Sequence, residues 1–422
     1  MAYTRRILDD KLDQMTAVLP AISIEGAKGV GKTATARRRA DVVFDLDDDN
    51  AGQVVAGNPR AVLEGDKCVF IDEWQLVPSV WNVVRRAVDD GAPPGRFLLA
   101  GSASPKPEAR IHSGAGRIVR LMMRPLSLPE RGLETPTVSL AALLDGVEDV
   151  QGRTQVGVAD YLAEIVSSGF PGIRAAAPDA RPHLLKSYVD RIVDHEIDLL
   201  GDRTRRSESV RAWLAAYGAA TATTASYSAL LDAATPGQDD KPSKVTAMAY
   251  RDLLQRLWIL DPVPAWIPGS GHLARLAQSP KHHLVDPALA AVLVGVSAES
   301  LIKGDGPKAI KRDGTYLGAL FESLAAQTVR VLAEAGGCTV AHFRLRGGAQ
   351  EVDLIVQRPD RKVLAIEVKL STTVRPADVR GLNWLEQQVP DAVIDKVLLN
   401  TGSMAYRRPD GVAVVPLSLL GV

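Results

Sequence analysis

Two groups of residues in this 422-residue chain have the types and spacing to do chemistry. The first is Gly26-Ala27-Lys28-Gly29-Val30-Gly31-Lys32-Thr33, which satisfies every fixed position of the phosphate-binding pattern G-x-x-x-x-G-K-[ST]. Glycines at 26, 29 and 31 permit backbone geometry that a Cβ would obstruct, so successive N–H groups can turn toward an anion. Lys32 is spaced to reach the β- and γ-phosphates of a nucleotide, and the Thr33 hydroxyl to coordinate Mg²⁺. Downstream, Val69-Phe70-Ile71 runs into Asp72-Glu73. An apolar run closed by two acids suits a buried parallel strand whose C-terminal end faces a ligand. Asp72 would hold Mg²⁺ there, and Glu73 would orient or deprotonate the attacking water. ATP and Mg²⁺ are the expected cofactors.

The second group is Glu322, Asp353, Glu367 and Lys369. Glu367 and Lys369 are spaced i, i+2, which on a strand points both side chains to one face. Asp353 lies on the preceding apolar segment and could meet them. Carboxylates from Glu322, Asp353 and Glu367 would hold Mg²⁺ while Lys369 positions water for attack on a phosphodiester. A hairpin with charged residues on its outer face would carry the same letters.

The elements that must position these groups follow from periodicity. Residues 21–25, 41–46, 67–73 and 96–102 read as apolar strands, with helical spacing at 4–18 and 80–90. The acidic run at Asp45 and Asp47 to Asp49 reads as a solvated strand end followed by a helix cap. Residues 133–200 read as helical, broken at Ser168-Gly169-Phe170-Pro171-Gly172, with His195, Glu196 and Asp198 on the surface. Residues 205–267 suggest a small winged-helix-like module, whose last helix, Lys244 to Leu260, resembles either a recognition helix or an ordinary core helix. A basic connection at 300–313, including Lys311 and Arg312, precedes the second site. The spacing at 317–332 is helical, and 340–344, 351–356, 363–369, 397–400 and 412–416 read as strands.

The order GAKGVGKT, VFIDE, LLAGSAS, GAGR and RLMMRPLSLPE resembles a family of prokaryotic AAA-type ATPases with an uncharacterised C-terminal domain. The likeness covers residues 4–132, and the Gly-Phe-Pro break resembles a segment of the same family. Many members carry Pro-Arg where this chain has Ala27-Lys28, which affects no phosphate contact. The resemblance implies a γ-phosphate sensor at Ser102, with Ser104 second and a turn serine capping the next segment as the alternative. An arginine at Arg117 would act in cis or across a subunit interface, with an exposed structural arginine as the alternative. Helix, three strands and Glu, Asp, Glu-x-Lys in that order resemble the core of PD-(D/E)XK nucleases, the type of C-terminal domain found in that ATPase family.

The expected fold is thus α/β. A P-loop NTPase parallel sheet spans 1–132, a helical region 133–204, a winged-helix-like module 205–299, and a restriction-endonuclease-like α/β domain 300–422. Fifty basic against fifty acidic residues give no net charge and name no partner. DNA binding or cleavage by the C-terminal domain, a switched non-catalytic module for DNA or protein, and a homo-oligomer all stay open. Two cysteines, Cys68 and Cys338, read as free buried thiols of a reducing compartment. No window approaches ~18 apolar residues and no apolar leader is visible, so a cytoplasmic setting without a membrane span is expected.

Overall fold

The structure is a computed structural model that describes residues 3–103, 114–147, 149–196, 207–235, 244–266, 279–308, 310, 314–345 and 348–422. Ser104, Asp198, Lys311, Arg312 and the Pro-Gly-polar loop at 236–242 lie outside the described residues, as do the side chains of His195, Glu196 and Lys244.

Five strands form the N-terminal sheet: β1 (Ala21–Glu25), β2 (Val42–Asp45), β3 (Val69–Asp72), β4 (Phe97–Gly101) and β5 (Val119–Met122). Their order is β2-β3-β4-β1-β5, and every pair is parallel. β1, β3 and β4 are buried along their whole length because both faces are covered, which is why they read as unbroken apolar runs. Parallel strands bring all their C-terminal ends to one edge of the sheet, and that edge receives Gly26, Glu73 and Ser102. Asp48 caps the helix Asp49–Gly57, accepting from the Asn50 and Ala51 amides. Cys68 and Cys338 are free, but each sits just ahead of a strand and is only half-buried.

The C-terminal sheet uses β7 (Gly152–Arg153), β8 (Thr339–Arg344), β9 (Glu351–Gln357), β10 (Val363–Val368), β11 (Val393–Asn400), β12 (Met404–Arg407) and β13 (Ala413–Pro416). Its order is β7-β12-β13-β11-β10-β9-β8, with β8, β9 and β10 antiparallel and β10, β11 and β13 parallel. A further pair joins β6 (Val138–Ser139) to β14 (Leu420–Gly421). Periodicity suggests helix through residues 133–200, yet β6 and β7 lie there. Two-residue strands are too short to register an alternation. The helix Arg380–Gln388 and β12 also escape the pattern.

Helix Tyr316–Ala335 is buried along most of its length. The expected helix from Lys244 to Leu260 ends at Arg256. Trp258 takes a left-handed φ of 58°, after which the chain pairs with a later segment through bridges Leu260↔Leu284 and Val263↔Lys281. Ala265 then pairs with His342 of β8, so this small ladder is attached to the edge of the C-terminal sheet. One apolar core runs through Ile22 and Leu98, through Leu162 and Trp213, and on to Leu324, Leu364 and Val397. Among the described residues no helix is long and apolar enough to cross a membrane.

Candidate nucleotide site and C-terminal carboxylate cluster

Gly26 follows β1 where the backbone of β5's exit passes closest. A Cβ built on Gly26 would lie 2.1 Å from the Met123 carbonyl oxygen, so only glycine fits. Gly26→Ala is expected to cost about 1–3 kcal/mol through backbone displacement, read as a lower thermal midpoint. Gly31, at φ 106°, turns the chain into the helix Lys32–Arg37. The buried Lys32 Nζ donates to the carbonyl oxygens of Gly26 (2.8 Å) and Ala27 (3.0 Å). Thr33 Oγ1 donates to Asp72 Oδ2 at 2.7 Å, joining the loop to the end of β3. Burial raises the Asp72 pKa above its ordinary value, and the Thr33 hydroxyl opposes that shift.

β4 lies between β1 and β3, so its C-terminal Ser102 stands between the phosphate loop and the acids. Glu73, itself left-handed at φ 50°, accepts at Oε2 from Ser102 Oγ (2.7 Å), from the Ser102 amide (3.3 Å) and from Gln75 Nε2. Gln75 Nε2 also donates to Ser102 Oγ at 3.2 Å. Ser102→Ala removes a hydrogen bond to a charged group, about 1.5–3 kcal/mol, so roughly a tenfold or greater fall in turnover with ATP affinity retained is expected in steady-state assays. Gln75 has no motif position and is not legible from the sequence.

A cavity of about 340 Å³ opens beside the loop, bounded by Tyr3, Arg6, Val30, Thr35, Arg131 and Arg174. Arg6 is buried and donates to Val30 O (2.9 Å), to Arg124 O (2.7 Å) and to Glu130 Oε1 (2.9 Å). Glu130 also accepts from Ser127 and Ile7, which ties the Pro125–Glu130 segment to the loop. From the central region, Tyr188 donates to Lys28 O at 3.0 Å and packs its ring, tilted, 4.8 Å from that of Phe170, whose Gly-Phe-Pro segment covers the loop.

Arg117 is placed elsewhere. It precedes β5 and therefore stands at the opposite edge of the parallel sheet, where Nε donates to Asp89 at 2.8 Å and Nη1 to Ala115 O.

The second group does converge. Glu322 comes from helix Tyr316–Ala335, Asp353 from β9, Glu367 from β10, and Lys369 follows β10. Lys369 Nζ donates to Glu367 Oε1 at 2.6 Å, and Asp353 Oδ2 accepts from the Val368 amide at 2.9 Å. Burial and the nearby Asp353 push the Glu367 carboxyl up to about 8, and the same two causes take Glu322 to about 7. Sequence reasoning missed the centre of this cluster. Lys281 is 1 % exposed, and its Nζ lies 2.9 Å from Glu322 Oε1, 2.9 Å from Glu351 Oε1 and 2.8 Å from Asp353 Oδ1. Burial disfavours the ammonium, but Asp353, Glu322 and Glu351 outweigh it and hold the pKa well above its ordinary value. Burial likewise opposes the Asp353 shift, where Lys281 and Lys369 prevail and lower it. Among the described residues no set of three or more His, Cys, Asp or Glu side chains is arranged to hold a metal ion.

Residues 19–131 match the model of an AAA domain. The match supports an N-terminal P-loop ATPase. Residues 158–300 match a domain of unknown function (DUF8612), and residues 317–420 another (DUF4143), to which the ATPase domain is fused. Two curated proteins are similar over 383 residues at 25 % identity, covering 88 % of this chain and 75 % of theirs. They are the uncharacterized proteins Mb2031c of Mycobacterium bovis and Rv2008c of Mycobacterium tuberculosis. Among solved structures, the Walker-type ATPase PABY2304 of Pyrococcus abyssi superimposes with a TM-score of 0.41 at 14 % identity, covering 69 % of this chain and 96 % of that one. The AAA match supports ATP binding and hydrolysis in general terms.

Proposed function

We propose that this chain binds ATP with Mg²⁺ on residues 26–33, hydrolyses it with Glu73, and couples the nucleotide state to a nuclease-like C-terminal domain that binds DNA. The observation that carries the first part is the 2.7 Å hydrogen bond from Thr33 to Asp72 beside the 2.7 Å contact of Ser102 with Glu73. A loop hydroxyl and two acids stand on one sheet edge next to a glycine turn. The Thr33 and Asp72 oxygens suit Mg²⁺, and the buried Asp72 carboxylate gains a counter-charge from it. When bound, the ion neutralises charge on the phosphates. Lys32 supplies the loop's cation, Glu73 takes the proton of the attacking water or orients it, and Ser102 positions Glu73. The cavity beside Arg6 and Arg174 offers the base and ribose a place next to the loop. Phosphate release from ATP that requires Mg²⁺ and stops in EDTA is the expected result. Release that persists in EDTA contradicts the assignment.

For the C-terminal domain, the convergence of Glu322, Asp353, Glu367 and Lys369 supports a restriction-endonuclease-like fold of the PD-(D/E)XK type. The position of Lys281 among the carboxylates favours a domain that binds without cutting. Salt-sensitive DNA affinity in a mobility-shift assay, with plasmid left intact in Mg²⁺ or Mn²⁺, is expected. Cleavage lost in both Asp353→Ala and Lys369→Ala would instead establish the cutting reading. Absence of any DNA affinity would move the partner to a protein.

A further inference from the structure

We infer that the ammonium of Lys281 is the resident cation of the C-terminal carboxylate cluster and keeps divalent metal out of it. The inference deepens the nuclease-like reading and rests on it for the identity of the excluded ion. It is independent of ATP binding.

An ammonium has three N–H donors and no acceptor. Lys281 directs its ammonium at three different carboxylates, Glu322, Glu351 and Asp353, at 2.8–2.9 Å. Those carboxylates come from the buried helix and from β9, so the lysine joins two elements of the domain to the ladder that carries it. That ladder fixes its backbone at both ends of the residue: the Lys281 amide donates to Val263 O and its carbonyl accepts from the Val263 amide, both at 2.9 Å. Val263 and its neighbours are held in turn at β8, where the Trp266 amide donates to His342 O and the His342 amide to Pro264 O.

A divalent ion held by Glu322 and Asp353 would compete for the oxygens that Lys281 already engages. Mg²⁺ demands oxygen ligands at ~2.0–2.1 Å and Ca²⁺ at ~2.3–2.6 Å. An ion that close to Glu322 Oε1 and Asp353 Oδ1 would stand against the ammonium already within 2.9 Å of both, and like charges in a buried site repel strongly. Two further cations face the cluster, making three against its four carboxylates. Lys369 faces Glu367 at 2.6 Å, and Arg344 faces Glu351 at 3.0 Å. The residues present therefore fit an internal ion-pair hub and do not fit a metal held between Glu322 and Asp353 while Lys281 is in place.

The test uses the full chain without ATP or DNA, titrated with Mn²⁺ and followed by electron paramagnetic resonance of the free ion. Wild type and Asp353→Asn should take up Mn²⁺ alike, so that no uptake depends on Asp353. Lys281→Met should gain a Mn²⁺ site about tenfold or more tighter than any in wild type, because acidic ligands then lack their cation. The gain should vanish in Lys281→Met/Asp353→Asn. Asp353-dependent uptake in wild type overturns the inference, and so does a folded Lys281→Met protein, verified by circular dichroism, that gains no site. If Lys281→Met does not fold, the wild-type and Asp353→Asn titrations decide the matter unaided. Because Mn²⁺ is counted directly, the outcome is distinct from failure of DNA binding, which the mobility-shift assay reads.

Discussion

Replacing Glu73 with glutamine is expected to leave ATP affinity near wild type while lowering turnover roughly 10²–10⁴-fold, the range for loss of a positioned general base. The change is isosteric and keeps an oxygen to accept from Ser102 Oγ, so β4 and the loop should stay in place. What disappears is the group able to take a proton. Asp72 cannot substitute because its two oxygens are engaged by the Thr33 hydroxyl and the Glu73 amide. Single-turnover phosphate release together with equilibrium binding of a fluorescent ATP analogue separates the two effects. Turnover close to wild type would place the base elsewhere.

Asp261→Ala is expected to destabilise the protein by about 3–5 kcal/mol, the cost of leaving largely buried charges without their partner. Asp261 joins three parts of the chain. Arg124, at the exit of β5, donates from Nε at 2.7 Å and from Nη2 at 3.2 Å. Arg330, on helix Tyr316–Ala335, lies 2.8 Å away and also donates to the Asp261 carbonyl at 2.7 Å. Burial opposes ionisation of Asp261, yet Arg124 and Arg330 outweigh it and hold the carboxyl at about 2, against an ordinary 3.8. A lowered folded-state pKa contributes stability above the unfolded value and loses it as pH falls through the folded one. The stability gap between wild type and Asp261→Ala should therefore be full above pH 3.8 and shrink toward pH 2. Denaturant melts at several pH values measure it, and a gap that grows on acidification would refute the pairing.

The parts of the molecule that were legible in the sequence are local. The phosphate loop is contiguous, and β1, β3 and β4 announce themselves because burial on both faces demands unbroken apolar runs. Glu367 and Lys369 share a face through the two-residue period of a strand. What stayed hidden depends on long-range pairing. Arg6 meets Glu130 across 124 residues, and Lys281 meets Glu322 and Asp353 across 41 and 72 residues. Nothing in the spacing of Lys281 marks it, since its partners are set by the ladder at Val263 and the edge of β8. The strands β6 and β7 were illegible for a related reason: β6 pairs with β14 and β7 with β12, so their partners, not their own letters, make them strands.

Equilibrium titration of ATP against wild type and Lys32→Ala tests most directly whether residues 26–33 bind the nucleotide. Loss of the buried Lys32 ammonium removes charge-assisted contacts to phosphate, about 3 kcal/mol, so affinity should fall roughly a hundredfold while the circular dichroism spectrum is retained. Native affinity in Lys32→Ala would contradict this assignment and send the nucleotide to another part of the chain.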